Sequence, residues 1–208
     1  MTHLRLATAA LAALVAWAVA AAPVPAADPP VAAVEQITSR VIAILADHSA
    51  SADDKRRRIQ DVVYAAVDFE TLSRLVLARN WSRFNDAQRA QFMDQFKEHL
   101  SMTYGRNVEG YKNEKVTIVG SRQEAKGDWT VKTKILRGGG PGDILVDYRL
   151  RQLGGEWRII DVIIEGVSLV SNYRSQFQDI VASGGPDRLI GLLRDKNAKG
   201  EPLKAPAS

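Results

Sequence analysis

The 208-residue chain contains no cysteine. That absence removes thiol nucleophiles, CxxC redox pairs, cysteine-ligated zinc, iron–sulfur clusters and every disulfide scaffold. Histidine is nearly as scarce: beyond the N-terminal segment only His48 and His99 remain, and neither stands in an HExxH pair or beside another metal ligand at useful spacing. No metal site is expected. Charge of one sign is also lacking, since 28 basic residues face 24 acidic ones. The densest basic cluster, Lys55-Arg56-Arg57-Arg58, has no aromatic beside it and reads as a solvated helix face, so no nucleic-acid partner is expected. After residue 27 no apolar run approaches the roughly 18 residues that a membrane span needs.

Catalytic signatures are missing in the same way. Gly166-Val167-Ser168 lacks the second glycine of a hydrolase elbow, so Ser168 reads as a helix cap. Gly105 to Gly110 has the glycine spacing of a P-loop, but Tyr111 stands where the lysine is required. The glycine run Gly138 to Gly142 falls between two alternating segments and reads as a hairpin loop. One arrangement carries chemistry: Asp161 and Glu165 lie two strand steps apart on one face, which suits an exported hydrolase with paired carboxylates. The structural reading of the same two acids is that they bind neighbouring basic residues or cap the helix that follows.

What is present begins with an address. A basic start, Met1 to Arg5, precedes the apolar run Leu6 to Ala22 and the small residues Val24 and Ala26. This layout predicts a cleaved signal peptide over residues 1–27 and export from the cytoplasm, where no ATP is available for kinase or ATPase chemistry. The remainder is 28–197 as one domain and a polar, flexible tail at 198–208. A body of this size builds a core without metals or disulfides.

Four amphipathic helices come first. Apolar residues at helical spacing predict Val31 to His48, Lys55 to Ala66 capped by Asp53 or Asp54, an Asp68-capped helix through Leu77, and the longest from Asn85 to Tyr104. At Lys115 the period changes to two. Val116 and Ile118, then Trp129 to Ile135, then Ile144 to Leu150 alternate with polar neighbours, with turns at Gly127-Asp128, Gly138 to Asp143 and Gly154-Gly155. A fourth strand, Glu156 to Glu165, is apolar on both sides, with Ile160, Val162 and Ile164 on one and Trp157, Ile159 and Ile163 on the other. Gly166 ends the sheet. Helical spacing returns from Val167 to Ala182, and Gly184-Gly185-Pro186-Asp187 opens a last helix. This order predicts an α+β fold: an antiparallel, curved sheet of four to five strands packed against a set of helices, an arrangement that has room for an apolar cavity between the layers without requiring one.

The segment from Gly155 to Phe177, GEWRIIDVIIEGVSLVSNYRSQF, resembles the signature of the MlaC, or toluene-tolerance auxiliary, family. The likeness continues through Val67-Asp68-Phe69, Trp81, Gln88 to Phe92, Thr103-Tyr104 and Leu189 to Asn197. It implies a Gram-negative periplasmic protein, not an enzyme and without cofactor. Such a protein ferries phospholipid between an outer-membrane lipoprotein–porin complex and an inner-membrane ABC transporter with an MCE-domain ring, and so maintains outer-membrane lipid asymmetry. It implies acyl tails in a deep apolar cavity with the headgroup at the mouth. Relatives associated with hopanoid synthesis make a polycyclic lipid the alternative cargo. A shuttle that hands cargo between partners is most simply a monomer.

The inward faces supply the candidate lipid-binding residues: Leu75, Phe96, Leu100, Tyr104, Val131, Ile135, Val146, Tyr148, Ile160, Ile164, Val170, Tyr173 and Phe177. Each of them fits a filled core equally well, because periodicity marks the inward face and says nothing of whether the interior is filled. Tyr104, Tyr148 and Tyr173 stand out, since an enclosed phenol needs a partner for its hydroxyl.

Overall fold

The computed structural model describes residues 29–105, 111, 113–137 and 142–203. The expected signal peptide and most of the Gly138 to Gly142 run lie outside them. Helices α1 (Pro29–Leu45), α2 (Ala52–Ala66), α3 (Phe69–Leu77) and α4 (Asp86–Tyr104) precede all strands, as the hydrophobic spacing requires. Ser51, rather than Asp53 or Asp54, caps α2: its Oγ accepts from the Asp54 N–H at 3.1 Å, which leaves both acids in the first turn to face the helix dipole. Asp68 caps α3 as expected, accepting from the N–H groups of Glu70 and Thr71. Asn85 and Gln88 close a reciprocal capping box at the start of α4.

The sheet is an antiparallel meander in the order β1 (Lys115–Gln123), β2 (Trp129–Leu136), β3 (Ile144–Leu153), β4 (Glu156–Ile164) and β5 (Val167–Ser168). Gly154 and Gly155, at φ 57° and 88°, form the two-residue turn between β3 and β4, a backbone shape that L side chains resist. The sheet does not end at Gly166, because Val167 and Ser168 turn back and pair with Ile164 and Ile163. The following helix therefore starts at Leu169, with the Ser168 hydroxyl accepting from the Ser171 N–H at 3.0 Å.

A bulge corrects the expected faces of β4. Arg149 pairs with Asp161 and Leu150 with Ile159, so Ile160 has no partner on β3. The extra residue shifts the alternation. Trp157 and Ile159 before it and Val162 after it consequently pack in one cluster, where strict alternation would have separated them. Helix α5 (Leu169–Lys199) is broken at Gly185, with φ 74° and ψ −175°, and Pro186 opens its second segment.

The helices divide into two groups. Helices α3, α4 and α5 enclose a filled core of Phe84, Phe92, Phe96, Tyr173, Phe177, Leu189 and Leu193 with their neighbours. Helices α1 and α2 lie across the sheet, where Val34 and Ala66 meet Val131, Leu150 and Ile159 in a smaller cluster.

The C-terminal segment is fixed to the larger core by a buried histidine. Asn197 donates through Nδ2 to the Gln95 carbonyl at 2.9 Å, so its Oδ1 accepts from His99 Nδ1 at 3.1 Å. Nε2 of His99 is then the acceptor for the Leu203 N–H, at 3.4 Å, and the ring is neutral. Residues 198–203 thus belong to the folded body, which corrects the expected onset of a flexible tail; 204–208 lie outside the described residues. Burial holds the His99 pKa below its ordinary value, against a smaller opposing effect of Asn197. The unfolded chain therefore takes up this proton first, and the stability owed to neutral His99 is complete above about pH 6.5 and declines below it. In urea unfolding, the gap between the wild type and His99→Gln is expected to narrow from about pH 7.5 to about pH 5.

Candidate functional site

Helices α1 and α2 run antiparallel, joined at their turn by Lys55 Nζ, which donates to the Leu45 carbonyl at 2.7 Å, and by the Arg58–Asp47 pair at 2.8 Å. The Ser49 hydroxyl and the Arg58 guanidinium hold the Asp47 carboxyl well below the usual carboxylate range. This hairpin covers one face of the sheet. Val34, Ala66, Val131, Leu150 and Ile159 close the gap between the layers at one end. Away from that floor the layers stand apart around a cavity of about 730 Å³.

Its walls follow from two periodicities. Ile37, Val41, Ile42 and Leu45 come from the inner stripe of α1, and Ile59 and Val63 from α2. Val116, Ile135, Ile144 and Val162 come from alternate positions of four strands. The two charged lining residues, Glu114 and Arg137, lie with Tyr111 at the end remote from the floor, beyond the paired Val116 and Ile135. Arg137 Nε donates there to the Gly142 carbonyl at 2.9 Å. An apolar interior with charge gathered at one end accepts a molecule that is itself apolar along its length and polar at its tip.

The sequence-derived lining residues separate into three places. Ile135 and Tyr148 face this cavity. Val131 is part of its floor, Val146 is buried opposite Ile164 one row further along the sheet, and Ile160 is the buried bulge residue. Phe96, Val170, Tyr173 and Phe177 lie instead in the filled helical core, with Leu75 and Leu100 packed against it. Tyr104 is at the edge of that core, 39% exposed, where its hydroxyl meets that of Tyr173. The stripes of α1 and α2 were legible as inward faces. What they face depends on how the hairpin crosses the sheet, which no local pattern encodes.

The two acids singled out for hydrolysis are engaged elsewhere. Asp161 is buried, accepting from the Ser168 hydroxyl at 2.6 Å and from the Val170 N–H at 3.1 Å. The Glu165 carboxylate accepts from the Leu145 N–H. Both shape the turn into α5, and neither lines the cavity.

The profile of the MlaC protein family matches residues 35–195, which contain every wall of the cavity. The chain belongs to the MlaC family. Among its relatives, the toluene tolerance protein ttg2D of Pseudomonas putida is 28% identical over 58% of this chain and 56% of its own. The intermembrane phospholipid transport system binding protein MlaC of Haemophilus influenzae is 24% identical over 62% and 61%. The matched region thus spans somewhat under two thirds of either relative. The fold is shared with a phospholipid-binding protein from Ralstonia solanacearum, solved in complex with a phospholipid: the TM-score is 0.75 at 23% identity, over 83% of this chain and 99% of that one. This likeness confirms for the MlaC-family chain the α+β architecture of helices on an antiparallel sheet.

Proposed function

We propose that this chain is a periplasmic lipid carrier that moves phospholipid between an outer-membrane lipoprotein–porin complex and an inner-membrane ABC transporter with an MCE-domain ring, and so supports outer-membrane lipid asymmetry. The observation that carries this reading is the cavity of about 730 Å³ with apolar walls and its charged residues at one end. Each methylene withdrawn from water contributes about 0.8 kcal/mol, so a 16-carbon tail crossing an aqueous gap unaided costs on the order of 12 kcal/mol. A carrier replaces the membrane interior for that crossing. It needs shape and apolar surface, and no nucleophile, metal or cofactor. The phospholipid named in the Haemophilus relative and bound in the Ralstonia protein supports the same cargo.

Native mass spectrometry of the protein purified from its own periplasm, followed by extraction and lipid identification, tests the proposal. Phospholipid at about one per chain is the expected result. A hopanoid in its place would change the cargo, and protein that stays empty even after incubation with phospholipid vesicles would remove the carrier reading. Ile144 lines the cavity at the first position of β3, so Ile144→Trp places a larger ring in the space that the tail would occupy. Bound lipid is expected to fall severalfold in this variant while the unfolding midpoint stays within a few degrees of wild type.

A further inference from the structure

One polar group deep in the cavity, away from its charged end, has no counterpart among the described residues. Tyr148 stands on β3 between Val131 and Val162 in the register, next to the apolar floor, and lines the cavity. Its hydroxyl finds no hydrogen-bond partner among the described residues. Of the other phenols, Tyr104 and Tyr173 meet each other, Tyr64 bonds Gln60 and Ser101, and Tyr111 lies at the charged end of the cavity beside Glu114 and Arg137. Enclosure alone pushes the Tyr148 hydroxyl up to about 12, so it keeps its proton and remains a donor across the physiological range.

An unpartnered O–H in an apolar space is satisfied by water while the cavity is empty. Filling the cavity with a plain hydrocarbon chain displaces that water and returns nothing, which lowers affinity. A cargo that carries an oxygen at this depth avoids the loss. We propose that Tyr148 is a specificity-determining residue that donates a hydrogen bond to an acceptor oxygen on the buried part of the lipid. The inference rests on the carrier reading of the cavity. Tyr148 lies four residues further along β3 than Ile144, about 13 Å towards the floor. The oxygen it meets is therefore well below the polar tip, and two chemistries supply one there: the ester carbonyl of a lipid whose glycerol backbone enters the cavity, or a hydroxyl borne on the chain.

The two sources are separated by measuring uptake of three phosphatidylcholines from vesicles. The dioleoyl ester, its diether analogue without carbonyls, and a 12-hydroxystearoyl lipid are each offered to the wild type and to Tyr148→Phe. The wild type is expected to prefer an oxygen-bearing lipid over the diether by roughly 2- to 10-fold. In Tyr148→Phe that preference disappears, and uptake of the diether rises, while the fold is unchanged because only the hydroxyl is removed. Preference for the dioleoyl ester identifies the carbonyl, and preference for the 12-hydroxystearoyl lipid alone identifies the chain hydroxyl. Equal uptake of all three by the wild type, or a preference that survives in Tyr148→Phe, overturns the assignment of Tyr148 and leaves the carrier reading standing. Failure of both proteins to take up any of the three removes the carrier reading itself.

Discussion

Phe177→Ala is expected to lower the free energy of unfolding by about 3–5 kcal/mol, a large part of the roughly 5–15 kcal/mol that holds a domain of this kind together. The ring is fully buried at the centre of the larger core. It stands edge-on to Phe92 and Phe96, with centroids 5.6 and 5.4 Å away, and tilted against Tyr173 at 5.5 Å. Truncation opens a void that three helices must close by shifting together, and it removes aromatic contacts worth about 0.5–1.5 kcal/mol each beyond the area they bury. Phe177→Leu keeps most of the volume and is expected to cost about 1–2 kcal/mol. Urea denaturation followed by circular dichroism reads both values. A Phe177→Ala midpoint close to wild type would mean that this core is loosely filled and is itself a candidate for the cargo.

Asp161→Ala is expected to cost about 2–4 kcal/mol. The carboxylate is the acceptor for both Ser168 and Val170, and with it removed the Val170 N–H is left buried without a partner at the point where β5 passes into α5. Asp161→Asn retains one oxygen for that N–H and is expected to lose no more than about half as much. The pair of variants also decides between the two roles of this acid. A structural aspartate lowers stability and leaves lipid uptake unchanged wherever the protein is folded. An aspartate that served a hydrolase with Glu165 would leave the fold intact in Asp161→Asn and abolish turnover.

Much of this architecture was legible because it is written in local periodicity. The spacing of Phe92, Phe96 and Leu100 marks α4, and the alternation of Val131, Thr133 and Ile135 marks β2, with no tertiary information needed. Asp68 and Ser168 were legible as caps for the same reason, since the acceptor and the N–H groups it serves are within three residues. Two features escaped. The bulge at Ile160 leaves no signature in a run of β-branched residues that suits either face, and β5 is too short to carry a period. The cavity was legible only as an inward direction. Phe177 and Ile144 are equally apolar, yet one fills a core and the other walls a space, because α1 and α2 rest on the sheet at one end while α3 to α5 close on one another along their length.

The meander has a consequence for the order in which the chain can mature. Each of the long strands pairs with its neighbour in sequence, so the sheet can zip up one hairpin after another with little loop entropy to overcome. The larger core follows the opposite rule. Arg174 reaches the Leu75 carbonyl and Asn197 reaches Gln95 across 99 and 102 residues, and Phe177 packs on Phe92 and Phe96 of α4 from the far end of the chain. Until α5 has been delivered, the aromatic stripe of α4 has only Phe84 and α3 to bury against and lacks Tyr173 and Phe177. The protein therefore cannot settle into its final shape as it emerges, and its last 40 residues or so decide when a flexible polypeptide becomes a finished container.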